Sequence, residues 1–229
     1  MKRFCLVGLC CIALHAPLQA LFDITVEGGY LGGKTTTNML SGSGTSVNFS
    51  GYTLKPGIHI GTRFQNIRIG IGPTLTFPFV KYESWPSTWI SSEISVVRYG
   101  GEIQAIWELF NFFHPLVRFE LGKDNIRETT SAYPVISSGP NAGTVVTSQV
   151  AEVKYSYGEL YYAIGAGTQL KVSNALSAFV FMGYTAGKSS QITLEAITVN
   201  GAPVSNPTSN VSSISYSAVM INLGFMLRF

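Results

Sequence analysis

Asn222-Leu223-Gly224-Phe225-Met226-Leu227-Arg228-Phe229 closes the chain. Val219, Ile221, Leu223, Phe225, Leu227 and Phe229 recur at every second position, with Ala218, Asn222, Gly224 and Arg228 between them. That period of two predicts a strand with one apolar and one mixed face. A strand running to the last residue leaves no tail over its edge, so it calls for a pairing partner.

The same period recurs upstream. Alternation predicts strands over 22–31, 51–64, 67–79, 94–109, 115–123, 155–172 and 176–188, before a last one over 213–229. In the seventh, adjacent Phe179, Val180, Phe181 and Met182 leave the facing open. The connections alternate in length: 65–66, 110–114 and 173–175 are short, whereas 32–50, 80–93, 124–154 and 189–212 are long. This predicts an all-β, eight-stranded antiparallel up-and-down transmembrane β-barrel with short periplasmic turns and four long extracellular loops. The stretches 128–153 and 189–212 also alternate, so seven or ten strands compete with eight. Gln191 to Val199, followed by Asn200-Gly201, reads as a raised hairpin. Pro56 and Pro73 fall inside predicted strands and call for bulges, or for a strand start near Pro56.

Composition separates a membrane barrel from a soluble one. The chain is 46% hydrophobic but 12% charged, and mean hydropathy is +0.26. A soluble domain of this size carries roughly twice that charged fraction. No run after residue 20 is long and apolar enough for a spanning helix. A soluble up-and-down barrel would bury its apolar face and expose its charges; here the apolar face is nearly free of charge, as lipid contact requires. Aromatic residues sort by height. Phe22, Phe64, Trp107, Phe110, Phe112, Phe113 and Phe229 gather at the short-turn end. Tyr30, Tyr52, Phe77, Phe79, Tyr82, Trp85, Tyr99, Tyr155, Tyr157, Tyr184 and Tyr216 gather at the other. Two girdles at the membrane interfaces are expected.

The inward face would carry Asp23, Glu27, Glu102, Glu108, Glu120 and Glu159 against Lys55, Arg63, Arg68, Arg98, Arg118, Lys171 and Arg228, with His59 among them. Buried charge is costly unless paired, so near-balance predicts a network of ion pairs filling a lumen just wide enough for side chains. A narrow solute path is the competing reading.

Met1-Lys2-Arg3 followed by apolar Phe4 to Ala13, with Ala20 ahead of the cut, reads as a signal peptide over 1–20 and a barrel domain over 21–229. Cys5, Cys10 and Cys11 all fall in that segment, so neither a disulfide framework nor a thiolate site is expected in the mature chain. The formal charge of +3 includes Lys2 and Arg3, and no basic cluster suited to nucleic acid remains. Of the three histidines, His15 leaves with the signal, His114 falls in a turn and His59 faces the lumen. Neither metal spacing nor a catalytic constellation is present, and no cofactor is expected. Ile69-Gly70-Ile71-Gly72 and Gly165-Ala166-Gly167 lack the strand-to-helix setting of phosphate loops. Their inward glycines instead make room for long side chains from across the lumen.

Asn222, Gly224, Leu227 and Phe229 together resemble the C-terminal assembly signal of bacterial outer-membrane barrels. With the signal segment, the strand count and the loop alternation, residues 21–229 resemble the small barrels of the OmpA/OmpX/OmpW superfamily. Pro56-Gly57-Ile58-His59-Ile60, through Asn66-Ile67 to Phe77-Pro78-Phe79, is similar to the second hairpin of the OmpW group. The resemblance implies export to the bacterial outer membrane, a lipid environment, the barrel-assembly machinery as a partner of the last strand, and a monomer. It also implies a non-enzymatic role, with the loops, among them Thr35-Thr36-Thr37 and the runs 41–46 and 203–213, open to an extracellular ligand. The OmpW likeness implies an alternative, passage of small hydrophobic solutes.

Overall fold

A computed structural model describes residues 21–39, 44–82, 89–134, 139–141, 143, 144, 146, 148–205 and 211–229. The expected signal segment, Trp85, the side chain of Tyr82, and parts of the runs 41–46 and 203–213 lie outside these residues. The strands are β1 (Leu21–Met39), β2 (Gly44–Phe64), β3 (Ile67–Tyr82), β4 (Trp89–Trp107), β5 (Phe113–Tyr133), β6 (Ala151–Lys171), β7 (Leu176–Ser189), β8 (Ile192–Val199), β9 (Ala202–Pro203) and β10 (Val211–Arg228). Eight of them close a ring in the order β5-β4-β3-β2-β1-β10-β7-β6, with β6 returning to β5. Every pairing around the ring is antiparallel.

The closing seam joins the two ends of the chain. β1 and β10 pair from Asp23↔Arg228 to Asn38↔Ser213. Beyond them the Phe229 N–H donates to the Phe22 carbonyl at 2.9 Å, and the Phe22 N–H to the Phe229 carbonyl at 3.3 Å. The two rings meet at 6.1 Å.

The strands outrun their predicted lengths. β2, β5 and β6 each have 21 residues, which is on the order of 70 Å of extended chain. A tilted crossing needs about 9–11 residues. Much of 32–50, 80–93 and 124–154 is therefore strand continuing above the apolar band. Here the outward face turns polar, as at Thr36↔Ser46, while Phe49, Val80 and Ile126 stay inward, so no outward apolar period marks these parts. β-branched threonine sustains a strand there without one. The expected hairpin is β8–β9, turning at Asn200 (φ 51°) and Gly201 (φ 80°), both left-handed as a tight primed turn requires. β8 pairs with the upper part of β6, from Tyr157↔Ile192 to Ala151↔Val199. Just below that fork, β6 pairs with β7 from Leu160↔Lys188 downward.

The prolines do not produce the expected bulges, and β2 begins well before Pro56. The β2–β3 register is the same at Leu54↔Phe77, Gly57↔Thr74 and Ile60↔Ile71, while the ladder lapses at the intervening positions, where Pro56 and Pro73 sit. Both prolines, lacking an N–H, fall on one seam. The register shifts found lie elsewhere, at Asn38/Met39 against β10 and Lys154/Tyr155 against β8.

The outside is apolar and the inside polar. Ile60, Ile71, Leu121, Met182, Leu223 and Phe225 are all more than half exposed, whereas Glu27, Arg68, Glu102 and Arg118 are buried. An apolar belt around a whole barrel is foreign to soluble monomers and suited to lipid. In β7, Val180, Met182 and Tyr184 face out, and Phe179, Phe181 and Thr185 face in. Phe22, Phe64, Phe110, Phe112, Phe113 and Phe229 form the lower girdle. Tyr30, Tyr52, Phe79, Tyr99, Tyr162 and Tyr184 form the upper one. Tyr155, Tyr157 and Tyr216 do not join it, because their positions in the alternation turn them inward.

Deleting Phe229 removes both terminal hydrogen bonds and the ring contact. The inserted, heat-modifiable form seen on unboiled gels is expected to fall to a minor fraction of the wild-type level, and unchanged insertion would exclude a role for the terminal residue in closure.

Candidate functional site

The lumen is the one place where polar chemistry concentrates, and it is stacked in three layers. In the middle layer the Lys55 ammonium on β2 donates to Glu102 and, at 2.7 Å, to Glu120, with Glu27 at 3.7 Å. Arg118 Nη1 spans both oxygens of Glu27 at 2.9 and 3.0 Å and lies 3.6 Å by Nε from Glu102. His59 Nε2 lies 2.8 Å from Glu102. Thr74 (3.0 Å) and Tyr161 donate to Glu120, and Asn222 Nδ2 donates to Glu27 at 3.1 Å. Seven strands thus contribute charge or hydrogen bonds to one layer, in a medium where an unpaired ion costs several kcal/mol.

Above it, Arg98 Nε and Nη2 meet the two oxygens of Asp124 at 2.8 and 3.0 Å. This is the bidentate fork that suits guanidinium. Arg98 also donates to Thr185 at 3.2 Å and to the Tyr216 hydroxyl, and Tyr216 donates to Asp124 at 2.9 Å. Below it, Asp23 sits 3.4 Å from Arg68 and 3.7 Å from Arg228. Glu108 accepts Arg228 at 3.4 Å and pairs with Arg63 at 2.7 Å.

Three of the expected lumen charges behave differently. Arg63 is at the mouth with its side chain about half exposed, beside the 65–66 turn and below the last buried layer. Glu159 is fully buried, yet neither carboxylate oxygen has a hydrogen-bond partner among the described residues; the nearby guanidinium of Arg98 is already committed to Asp124, Thr185 and Tyr216. Lys171 lies at the exposed end of β6. His114 is in β5 rather than a turn, buried, with Nε2 2.9 Å from the Phe110 carbonyl. Asp124, expected in a loop, continues the inward series Arg118, Glu120, Gly122, and that parity was the available signal.

Aromatic rings carry the guanidiniums. Arg98 lies 4.0 Å from the Tyr161 ring centre and Arg118 4.5 Å from that of Phe179, both cation–π range. This explains why β7 turns both of its phenylalanines, Phe179 and Phe181, inward. Tyr161 fits because Gly100 and Gly122 are bare: a Cβ at either would lie within 2.9 Å of its ring or hydroxyl. Gly224 does the same for Phe179, at 2.5 Å. Of the C-terminal motif, then, Asn222 and Gly224 face the lumen, while Leu227 and Phe229 are exposed on the wall.

Over the Arg98–Asp124 pair lies a small cavity of about 50 Å³, lined mainly by Leu31, Phe49, Val80, Ile94, Val96 and Ile126. Higher still, burial pushes the Glu128 carboxyl above its ordinary range, opposed by hydrogen bonds from Thr130 and Tyr157. Burial, and then Glu128, push up the Tyr155 hydroxyl. Among the described residues no cluster of three or more His, Cys, Asp or Glu could hold a metal, and no helix is long and apolar enough to cross a membrane.

Replacing Lys55 by methionine leaves Glu27, Glu102 and Glu120 facing one another with Arg118 alone. A loss of about 3–5 kcal/mol in unfolding free energy is expected, read as a lower urea midpoint in detergent or bilayers; an unchanged midpoint would show that the middle layer contributes little.

No family model matches the chain, and no curated protein matches it. Among solved structures it is similar to the outer membrane protease OmpT of Escherichia coli, at 8% identity, 92% of this chain, 97% of that one and a TM-score of 0.52. It is more distantly similar to OprG of Pseudomonas aeruginosa, at 10% identity, 90% and 95% coverage and a TM-score of 0.45. For Neisserial surface protein A the values are 13%, 91%, 97% and 0.40. The likeness to OmpT is one of fold, and it agrees with the closed ring, apolar wall and polar lumen described above: the chain has the fold of the bacterial outer-membrane β-barrels.

Proposed function

We propose that this is an integral outer-membrane protein without enzymatic activity, whose barrel is an anchor closed by its own side chains. It carries its strand extensions and connecting segments to the cell exterior for a structural, adhesive or environment-facing role. The observation that carries this reading is the middle layer, where Lys55 and Arg118 bind Glu27, Glu102 and Glu120 across the lumen axis. A side chain held by ions from several strands is a fixed plug. Segment 1–20 would direct export, and Asn222, Gly224, Leu227 and Phe229 would present the last strand to the assembly machinery. The closed ring works as a monomer, with the short turns in the periplasm. The extended upper strands suit display, since rigid scaffolds with variable connections carry recognition.

A second reading, passage of small hydrophobic solutes, is favoured by the apolar cavity above Arg98. Along the axis that cavity ends on the Arg98–Asp124 pair, so a solute would have to leave sideways. Planar-bilayer recording separates the two readings. Pure protein is expected to show no steady unitary current, and Lys55→Met with Arg118→Met to show larger or noisier events. Stable single-sized currents from the wild type would overturn the plug. Saturable uptake of a small apolar solute by proteoliposomes, lost when the cavity is filled by Val96→Trp, would establish the second reading.

A further inference from the structure

The wall carries one group of charges that the lumen does not absorb. Lys123 and Arg127 on β5 and Lys188 on β7 point outward and line one concavity of about 700 Å³, with Ser156, Ser190 and Thr193 among its other walls. The hollow exists because of the fork. At Leu160↔Lys188 β7 is still the neighbour of β6, and from Tyr157↔Ile192 upward β8 takes its place. Its floor is bare because Gly158 has no side chain: Lys123 lies across that glycine, with Cε 2.9 Å and Nζ 3.5 Å from where a Cβ would stand. No carboxylate lines the hollow. Among the described residues none of the three cations forms an ion pair.

Height on the wall identifies the ligand. Lys123 pairs across with Tyr99 of the upper girdle and with Leu160; Tyr162 and Tyr184 lie just below on β6 and β7. Beneath the cations the outward residues are apolar: Leu160, Ile164, Leu121 and Phe119. The hollow therefore sits where the tyrosine belt gives way to headgroups, and it opens toward lipid. Exposed cations with hydroxyl donors beside them suit phosphate oxygens, and cations at a membrane surface draw anionic lipid.

We propose that this hollow binds the phosphate headgroup of an outer-leaflet lipid, whose chains run down the apolar column of β5 and β6. The site rests on the reading that this wall faces a bilayer, and it adds a specific lipid contact to it.

The test uses the full mature chain in nanodiscs of phosphatidylcholine with about one-tenth phosphatidylglycerol. Heat-modifiability scores insertion, and native mass spectrometry counts retained lipid. The wild type is expected to retain phosphatidylglycerol over phosphatidylcholine beyond its share. Each of Lys123→Gln, Arg127→Gln and Lys188→Gln is expected to lower that preference up to about fivefold. Lys81→Gln, an outward cation away from the hollow, should leave it unchanged. Equal preference in the wild type and the triple variant, both inserted, would overturn the site. Displacement of the lipid by millimolar inorganic phosphate would overturn the lipid assignment in favour of a free anion. Failure of the wild type to insert would tell against the barrel's membrane reading, a separate outcome.

Discussion

A carboxylate that enters a narrow lumen must be met by a cation, and this constraint orders the rest of the molecule. Glu27, Glu102 and Glu120 come from β1, β4 and β5, and Lys55 and Arg118 from β2 and β5. Each ion pair they form joins two different strands. The layer is satisfied when the strands stand in a single register, so the charges specify the barrel as much as they fill it. Slipping any strand by one residue would put these ions against lipid and bring isoleucine and phenylalanine inside. The rings of Tyr161 and Phe179 and the bare glycines opposite them serve the same end, since each holds a guanidinium where its carboxylate waits.

The wall obeys the complementary constraint. A closed ring pairs its backbone groups with neighbouring strands, which lipid demands, and the β1–β10 seam does so to the last residue. The β2–β3 seam is the exception. It keeps its register and loses ladder bonds around Pro56 and Pro73, at the height of the middle charged layer, where Lys55 and His59 flank the gap on β2. Side-chain ties across the lumen thus hold the two strands where the backbone holds them least.

Much of this was legible in the sequence, and the remainder follows a physical pattern. The closing strand, the ring of eight, the apolar exterior and most inward charges follow from a period of two, because lipid on one side and packed ions on the other leave that period undiluted. Above the band the outward face turns polar, as at Thr36 and Ser46, nothing there forces an apolar period, and strand reads as loop. Asp124 was lost with that boundary, although its parity matches Glu120. Glu159 has the right parity and still no hydrogen-bond partner among the described residues, because parity gives a side and not a partner. The assignment of Tyr155, Tyr157 and Tyr216 to a girdle failed for the converse reason: height was read without side.

β5 and β6 stay paired from the short-turn end, past the charged layers, to the tall extension that β8 joins. Arg118, Glu120, Asp124, Glu159 and Tyr161 all hang from these two strands. A load on the hairpin would pass down these two strands toward the Glu120 contacts with Lys55 and Tyr161. Hairpin and buried ions thus share one pair of strands, so a force applied to the one would reach the other as strain along a single ladder.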